Sequence, residues 1–547
     1  MLANAAGSNA CQTSTAPGRD RMSTFAIALA WRRTPEVTRR ACRPKCTRAR
    51  LRHTVVAGSI LGRMSRAFCV FVVRVAIACG LALAACASPQ APAAPSGGAP
   101  TTTAEASTAA AVTAAPAPTS APAAAGPAAT TAPIAGSTAA SSAASGNPIK
   151  IGLLEALTGP IASVGKDNRD GFNLYLSTLD NMVAGHPVQV IVADTTGQPD
   201  VAAAKVQDLI ENQKVDILAG INQTPECYVV AQYVQKAQVP LVVSGNCGAT
   251  YLTIDPKYAS PYLVRASSNS GAQAIIGDWI ANKGYKKAVM FTADYVGGLE
   301  LNDLIAGAFV KHGGSIVQEL HAPVGTTDFG PYLAQLDTDA DVVVAFEPGA
   351  DGLRFGQQYA QYVGPNSKLQ VIDVLSQIAG GSNLAQMKDS ALGIIGASTY
   401  TNALDTPAAK SFAQAMANKY PGRALSGDQA IGWAGAQIIT AALQQVNGNV
   451  QDKQAFMNAL YATNLDTPRG PVTFDQFHDI ISSVYMYQIV RTPNGYDQKL
   501  LDTVDGAGQL TVYTPEQLKA AKFGKLKGQW VGMTKDRVDQ ALLGTGL

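Results

Sequence analysis

The chain has 547 residues but few of the side chains and motifs that enzymes use for catalysis near neutral pH. Its five histidines, at positions 53, 186, 312, 321 and 478, show no metal-ligand spacing to one another or to a pair of cysteines. The turn after the first apolar segment of the globular part reads EALTGP instead of G-x-G-x-x-G, and no G-x-x-x-x-G-K or G-x-S-x-G motif is present. We therefore expect no enzymatic activity, no metal and no cofactor.

Charge is also scarce, at 15% of residues, and the formal net charge of +3 hides an uneven distribution. Of the 42 basic residues 14 precede Cys86, whereas only 2 of the 39 acidic residues do. The part after Cys86 therefore carries a net charge of −9. Proteins that bind nucleic acid neutralise its phosphates with Lys and Arg, so this acidic body predicts no nucleic-acid partner.

From Met64 the chain has the layout of a bacterial secretory signal: two arginines, an apolar run over residues 75–83, and small residues before Cys86. The run is too short for a permanent membrane span, which needs about 20 apolar residues. The tetrapeptide LAAC at 83–86 resembles the lipobox of bacterial lipoproteins. This resemblance implies that residues 64–85 are a signal peptide and that Cys86 carries a lipid anchor. A soluble secreted protein cut nearby is the alternative.

Two segments that flank the signal have compositions that disfavour folding. Residues 1–63 are rich in Arg without apolar periodicity, and we interpret them as a disordered leader or an over-extended translation start. A nucleic-acid-binding arm is the alternative, although it would lie upstream of an export signal. Residues 86–147 are predicted to be a linker, because nearly all of them are Ala, Pro, Ser, Thr or Gly. A coil of this length spans on the order of 40–50 Å.

From residue 148 onward short apolar runs alternate with amphipathic stretches. Predicted strands cover residues 149–154, 188–192, 217–219, 241–243, 288–291, 316–320, 342–346, 369–372 and 393–397. Predicted helices cover residues 167–179, 201–212, 224–236, 271–282, 299–312, 332–336 and 352–362. This alternation indicates an α/β fold with parallel, doubly wound sheets, in which ligands bind beyond the carboxyl ends of the strands.

Three cysteines follow the apolar part of the signal: Cys86, Cys227 and Cys247. If Cys86 is lipidated, the other two form an even pair in an oxidising compartment, which favours a disulfide. Cys227 falls in the first turn of a predicted helix and Cys247 in the loop after the next strand, at the same sheet edge. A Cα separation of about 6 Å is then plausible. Two separate buried thiols are the alternative.

Several motifs of the globular part carry a family resemblance. They are IKIGLLEALTGPIASVG (149–165), DGFNLYLSTLD (170–180), GINQTPECYVVAQYVQKAQVPLVVSG (220–245), YLVRASSNS (262–270), FTADYVGGLELND (291–303), VGTTDFGPYLAQL (324–336), VVVAFEPGADGLRFGQQY (342–359) and TPRGPVTFD (467–475). In this order they resemble the branched-chain amino-acid type of periplasmic binding protein, the substrate-binding component of ABC importers.

That resemblance implies two Rossmann-like lobes joined by three hinge crossovers, which close over a ligand. Lobe one is expected to comprise residues 148–265 and 400–474, and lobe two residues 266–399 and 475–510. Residues 511–547 are left as a C-terminal tail.

The resemblance also implies ligand contacts. The family's hydroxyl residue at the start of the helix after the third strand matches Thr224, where helix N–H groups can hold a carboxylate. Asn246 and Cys247 match the loop that supplies further carboxylate contacts. The aromatic residue of lobe two matches Tyr295 or, because ADYVGG is irregular, Val296; we favour Tyr295. The alternatives are that Thr224 serves only as a helix cap and that Tyr295 only packs within its lobe.

Specificity is less well defined by the resemblance. An α-amino acid needs a buried anion opposite its ammonium group, because an unpaired buried charge is costly. Glu347 and Asp373 are the candidates, although Asp373 is out of register, and Val164 replaces an aromatic residue of the family. If neither acid faces the cleft, a carboxylate without an amine fits better. Family members with segments similar to ADYVGG and FEPGAD bind aromatic acids and other such solutes.

We therefore predict a non-catalytic solute receptor outside the cytoplasmic membrane.

 It captures a small amino acid or organic acid, aromatic acids included, between its two lobes. It acts as a monomer, held at the membrane by the lipid on Cys86, and delivers the solute to an ABC permease. A sensor that uses the same clamp without transport is the alternative. An exported enzyme is a third reading, which the absence of a catalytic motif disfavours.

Overall fold

The computed structural model describes residues 146–267, 270–364 and 367–543, which fold into two α/β lobes. The predicted leader (1–63), the signal peptide (64–85) and the lipidation site Cys86 lie outside the described residues, as does nearly all of the linker. No helix in the described part is long and apolar enough to cross a membrane.

Fifteen strands and fourteen α-helices are assigned within the described residues. The strands are β1 (Ile149–Glu155), β2 (Met182–Val183), β3 (His186–Asp194), β4 (Ile217–Gly220), β5 (Leu241–Val243), β6 (Leu263–Arg265), β7 (Lys287–Ala293), β8 (Ser315–Ala322), β9 (Val342–Phe346), β10 (Gln370–Val374), β11 (Ile395–Ser398), β12 (Leu465–Thr467), β13 (Gly470–Phe474), β14 (Ile480–Thr492) and β15 (Gly495–Ala507). The helices are α1 (Ala162–Ser177), α2 (Pro199–Glu211), α3 (Thr224–Ala237), α4 (Ser270–Gln273), α5 (Ile275–Asn282), α6 (Val296–Lys311), α7 (Gly330–Leu333), α8 (Ala350–Tyr362), α9 (Gly381–Met387), α10 (Pro407–Lys419), α11 (Gly427–Gln445), α12 (Lys453–Tyr461), α13 (Pro515–Ala520) and α14 (Lys535–Leu543).

Lobe one is built on a six-stranded sheet in the order β2-β3-β1-β4-β5-β6, parallel except for the β2–β3 pair. Alternate residues of β1 point to opposite faces of this sheet. Ile151 and Leu153 pack with apolar residues of α1, α11 and α12, whereas Leu154 packs with residues of α2 and α3. Burial on both faces explains why these strands read as nearly continuous apolar runs.

Lobe two is built on strands β8, β7, β9, β10 and β11, which are parallel in that order. The long strand β14 pairs antiparallel with β11 and forms a hairpin with β15. Beyond β14 the same sheet continues into β13 and β12, whose apolar residues Val472 and Leu465 pack against the core of lobe one. The two lobes therefore share this stretch of chain.

The chain crosses between the lobes three times: after β6, after β11, and between β13 and β14. An ion pair between Arg265 and Asp479, both fully buried, joins the first and third crossings. Arg265 Nε donates to Asp479 Oδ1 at 3.1 Å, and Arg265 Nη1 donates to the carbonyl of Ala249 at 2.6 Å. The predicted fold class, two lobes of mostly parallel sheet joined by three crossovers, is confirmed.

Residues 511–543, part of the segment that the sequence leaves as a tail, pack on lobe two. Trp530 is fully buried, and its indole Nε1 donates to Asp303 Oδ1 at 2.6 Å. Tyr513 donates through its hydroxyl to the carbonyl of Leu304 at 2.9 Å. Both aromatic rings belong to the apolar core that surrounds α6. This segment thus supports the helix whose first turn faces the cleft between the lobes.

Candidate functional site

A narrow cleft lies between the lobes, where the carboxyl ends of their strands face each other, and its free space for water-sized molecules is about 20 Å³. This is the position at which open parallel sheets bind ligands. The side chains and glycines that line the cleft come from both lobes: Ile161, Val164, Asn222, Gln223, Thr224, Asn246, Gly248, Ser270, Tyr295, Gly297, Leu301, Phe346, Pro348, Leu375 and Gln377. Three of the predicted ligand contacts, Thr224, Asn246 and Tyr295, are therefore brought together.

The lobe-one wall of the cleft is formed by the start of α3 and the loop after β5. Thr224 is the first residue of α3, and its Oγ1 accepts a hydrogen bond from the N–H of Ala249 at 3.3 Å. The same hydroxyl therefore ties the helix to the loop and reaches the cleft. At the start of α3, Pro225 has no N–H and Glu226 forms a capping box with Gln223, so the positive end of the helix dipole and the Thr224 hydroxyl are what favour a bound anion here.

A disulfide between Cys227 and Cys247 holds these two elements together, with 6.7 Å between the Cα atoms. Cys227 lies in the first turn of α3, and Cys247 follows Asn246 in the loop after β5. Both cysteines are fully buried, and neither lines the cleft. Cys247 thus lies behind the wall, where it fixes the position of Asn246.

The lobe-two wall is mostly apolar and aromatic. Tyr295 precedes the first turn of α6, and its ring centroid lies 6.5 Å from that of Phe346, at an interplanar angle of 27°. Burial, together with the neighbouring carboxyl of Glu300, raises the pKa of Tyr295 well above its usual value. The hydroxyl of Tyr295 therefore stays protonated and able to donate a hydrogen bond at physiological pH.

The lobes are in contact around the cleft. A Cβ atom at Gly297 would lie 2.7 Å from Thr224 Oγ1 across the cleft and 2.9 Å from the hydroxyl of Tyr295. Glu300 of α6 makes a further contact: its Oε1 accepts from the hydroxyl of Tyr228 at 2.8 Å, and its Oε2 accepts from the N–H of Thr250 at 2.9 Å. These contacts describe a closed clamp.

Glu347 and Asp373 lie behind the lobe-two wall. Phe346 and Pro348 line the cleft, whereas Glu347 between them is fully buried and does not. Neither carboxylate oxygen of Glu347 has a hydrogen-bond partner among the described residues, and burial raises its pKa well above the usual value. Asp373 Oδ1 and Oδ2 accept from the N–H groups of Ile378 and Ala379 at 3.0 and 2.8 Å. Asp373 thereby shapes the loop after β10.

Some side chains that line the cleft are not indicated by the sequence patterns. Asn222 is the second residue after β4, and Gln377 lies in the loop after β10. Ser270 begins the short helix after the first crossing. The rule that ligands bind at strand ends points to these loops but does not say which of three or four consecutive residues faces inward.

No Lys, Arg or His lines this cleft among the described residues. The ionisable groups nearest to its walls are carboxyls, and burial raises the pKa of both Glu226 and Glu300 to about 7. Glu226 belongs to the first turn of α3, where its Oε2 accepts from the N–H of Gln223 at 3.2 Å. Any anionic ligand would therefore be held by helix N–H groups, hydroxyls and amides instead of by a cationic side chain.

No group of three or more residues suited to a metal ion occurs among the described residues.

Comparison with known proteins agrees with this architecture. The profile of the periplasmic binding protein family matches residues 148–495. The Leu/Ile/Val-binding protein homolog 6 of Brucella melitensis biotype 1 is 26% identical over 373 residues, which cover 67% of this chain and 94% of that protein. An ABC transporter substrate-binding protein from Sphaerobacter thermophilus is 32% identical, with a TM-score of 0.62, over 66% of this chain and 99% of that one.

A further solved structure is a solute-binding protein of an ABC transporter from Rhodopseudomonas palustris BisB5 in complex with 3,4-dihydroxybenzoic acid. It is 29% identical to this chain, with a TM-score of 0.63, over 66% of this chain and 99% of that one.

The chain belongs to the periplasmic binding protein family, as its motifs indicate. Within that family it is a substrate-binding protein of the ABC transporter type, a class that binds solutes and does not catalyse reactions. Members of this class act outside the cytoplasmic membrane.

Proposed function

We propose that this protein captures a small carboxylic acid with an apolar, most simply aromatic, body and delivers it to an ABC permease. The cleft between the lobes carries the proposal, because it combines the two features that such a ligand needs. The starts of α3 and α6 approach each other at Thr224 and Gly297, where the N–H groups of α6, which no side chain caps, and the Thr224 hydroxyl favour a carboxylate. Beside them, Tyr295 and Phe346 provide an aromatic wall.

The aliphatic half of the remaining lining favours an aromatic or similarly apolar body. Ile161, Val164 and Leu301 add aliphatic surface to the cleft. Neither Glu347 nor Asp373 lines it, so the two acids expected opposite an ammonium group are not available there. The Rhodopseudomonas palustris relative, which is complexed with 3,4-dihydroxybenzoic acid, supports this choice of ligand.

Thermal unfolding of the purified protein with a panel of solutes tests the proposal. Binding to the folded state stabilises it by about 2.7 kcal/mol when the free ligand is at 100 times its Kd. Benzoate and its hydroxylated forms should raise the Tm. Benzamide, which has nearly the same shape without the negative charge, and glucose should not. The proposal would be contradicted if no carboxylate raised the Tm, or if glucose alone raised it.

A variant locates the binding site. Tyr295→Ala removes the aromatic side chain from the cleft wall and should lower the affinity for benzoate by about tenfold or more, since buried aromatic contacts contribute about 1–3 kcal/mol. Tyr362→Ala is the control, because Tyr362 is 56% exposed and does not line the cleft. If the two variants bind benzoate with equal affinity, the ligand does not bind against Tyr295 in this cleft.

A further inference from the structure

The cleft continues beyond its apolar part into a polar compartment. This second space has about 50 Å³ free for water-sized molecules and shares Val164, Leu375 and Gln377 with the first. Its other lining residues are mostly small or polar: Ser163, Asp167, Gly349, Ser376, Gly380, Gly381, Ser382, Asn383, Ser426, Gly427 and Asp428. A ligand in the apolar part therefore has a polar region within reach of its other end.

Asp428 is the acid of this compartment that is hydrogen-bonded to a residue of the apolar part. It is the second residue of α11, and its Oδ1 accepts from the side-chain amide of Asn246 at 3.1 Å. Asn246 itself lines the apolar part, so one hydrogen bond separates Asp428 from the expected ligand. Asn168 holds the backbone here, because its amide donates to the carbonyls of Ser244 and Asp428 at 2.8 and 3.3 Å.

The charge of Asp428 is not matched by a cation. Asp167, on the same wall, forms an ion pair with Arg423 and accepts from the hydroxyl of Ser426 at 2.6 Å. Among the described residues no Lys, Arg or His lies within ion-pair distance of Asp428. Burial, and then the charge of Asp167, raises the pKa of Asp428 to about 7. A donor supplied by a ligand would satisfy this carboxyl.

Two buried polar groups without partners face the same cleft. Asn222 is 5% exposed and Ser270 is 1% exposed, and both line the apolar part. Asn222 Nδ2 and Ser270 Oγ have no hydrogen-bond partner among the described residues. Buried polar groups are nearly always hydrogen-bonded in native proteins, so these two point to a polar ligand group that completes the site.

We infer that Asp428 is a ligand contact that accepts a hydrogen bond from the solute, and that it makes the clamp prefer carboxylic acids with a second, donor group. The donor is either the ammonium group of an amino acid or the hydroxyl group of a hydroxylated aromatic acid. The inference rests on the proposed function, since it needs a carboxylate in the apolar part of the cleft. It assigns to lobe one the acidic contact that Glu347 and Asp373 do not provide from lobe two.

Asp428→Asn tests this role because it replaces a carboxylate oxygen, which accepts hydrogen bonds, with an NH₂ group, which donates them. In the variant, the amide oxygen must accept from Asn246, so the amide NH₂ faces the ligand and meets its donor. Asp200→Asn is the matched control: Asp200 also occupies the second position of a helix, α2, but it is exposed and remote from the cleft lining. Asp428→Ser, which removes the acid without adding a donor of similar reach, is the second variant in case the first does not fold.

Calorimetric titration with two ligand pairs gives the readout. The pairs are 4-hydroxybenzoate with benzoate, and leucine with 4-methylpentanoate, which lacks only the amino group. The unmodified protein should prefer the donor-bearing member of one pair by about tenfold to a hundredfold, which is the range of a hydrogen bond to a charged group. The pair that shows the preference identifies the donor as hydroxyl or ammonium.

Asp428→Asn should reduce this preference to less than about threefold, and Asp200→Asn should leave it unchanged. A preference that survives in Asp428→Asn and Asp428→Ser would overturn the inference, and so would an equal loss of affinity for both members of a pair. Equal binding of both members by the unmodified protein would also overturn it while leaving the proposed function intact. Failure of every carboxylate to bind would overturn the proposed function and the inference together.

Discussion

At the scale of single residues, the closed clamp depends on a position without a side chain. Gly297 lies in the first turn of α6, and a Cβ atom there would lie 2.7 Å from Thr224 Oγ1, closer than real Cβ contacts allow. It would also lie 2.8 Å from Cε2 of Tyr295. The absence of a side chain at 297 thus lets the two helix starts approach the same small ligand.

Gly297→Ala should weaken ligand binding without weakening the fold. The added methyl group keeps Thr224 and Tyr295 from their closed positions, so we expect about a tenfold loss of affinity for the best carboxylate. In a helix, alanine is more favourable than glycine by about 0.5–1 kcal/mol, so the unliganded protein should be equally or more stable. Calorimetry and urea unfolding measure the two effects separately. Unchanged affinity would show that the lobes do not need this close contact.

At the scale of elements, the site depends on how α3 is fixed to the loop after β5. The Cys227–Cys247 disulfide and the hydrogen bond from Ala249 to Thr224 both join them. The bridge spans a sequence separation of 20 residues. Closing a loop of about this length stabilises a folded protein by about 3 kcal/mol in the chain-entropy account.

Replacing both bridged cysteines with alanine should lower the free energy of unfolding by about 2–4 kcal/mol. Affinity should also fall, because Asn246 and Thr224 lose their fixed relative position. Urea unfolding and calorimetry check the two effects. The unmodified protein unfolded in the presence of a reductant is the control, and it should match the double variant. Equal stability with and without the bridge would contradict this account.

The elements that bury apolar side chains on both faces could be predicted from the sequence. Strands β5 and β9 have the predicted bounds, because each is a short apolar run between polar segments. The hairpin of β14 and β15 was not predicted, since exposed and buried residues mix along β15 in the manner of an edge strand. The C-terminal segment shows no pattern that predicts its packing, because its buried anchors, Tyr513 and Trp530, are single aromatic residues among polar ones.

The site itself could be predicted only in part, for a geometric reason. Thr224, Asn246 and Tyr295 follow strand ends in loops that a sequence pattern can locate. In the loop after β9, however, the wall is formed by Phe346 and Pro348, and Glu347 between them points away. Asp428 is 182 residues from Asn246 in the sequence, so only the folded chain brings the two together.

At the scale of the whole molecule, buried carboxyls make stability depend on pH. Burial raises the pKa of Glu226, Glu300 and Asp373 to about 7, whereas carboxyls of an unfolded chain titrate near pH 4. Between about pH 4 and 7 the folded protein therefore binds more protons than the unfolded chain does. Stability should fall as pH rises through this window and level off above about pH 8.

Urea unfolding at steps from pH 5 to 8.5 checks this dependence. Glu226→Gln keeps an acceptor for the N–H of Gln223 and removes one titrating group, so its free energy of unfolding should fall less steeply with pH. Glu516→Gln is the control, because Glu516 also lies in the first turn of a helix but is exposed. Stability that is constant or rises across this range would show that these carboxyls ionise without penalty.

The attachment of the whole molecule to the membrane is predicted to depend on one atom, the sulfur of Cys86. A single lipid-modified cysteine after residues 64–85 would hold the body through the linker 86–147, whose coil length of about 40–50 Å leaves room to reach a permease. Cys86→Ala should move the protein from the membrane fraction to the soluble fraction of the cell envelope. Cys79→Ala, seven residues earlier within the apolar run, is the control and should remain with the membrane. Cys86→Ala protein that stays membrane-bound would mean that another feature of the N-terminal region anchors the chain.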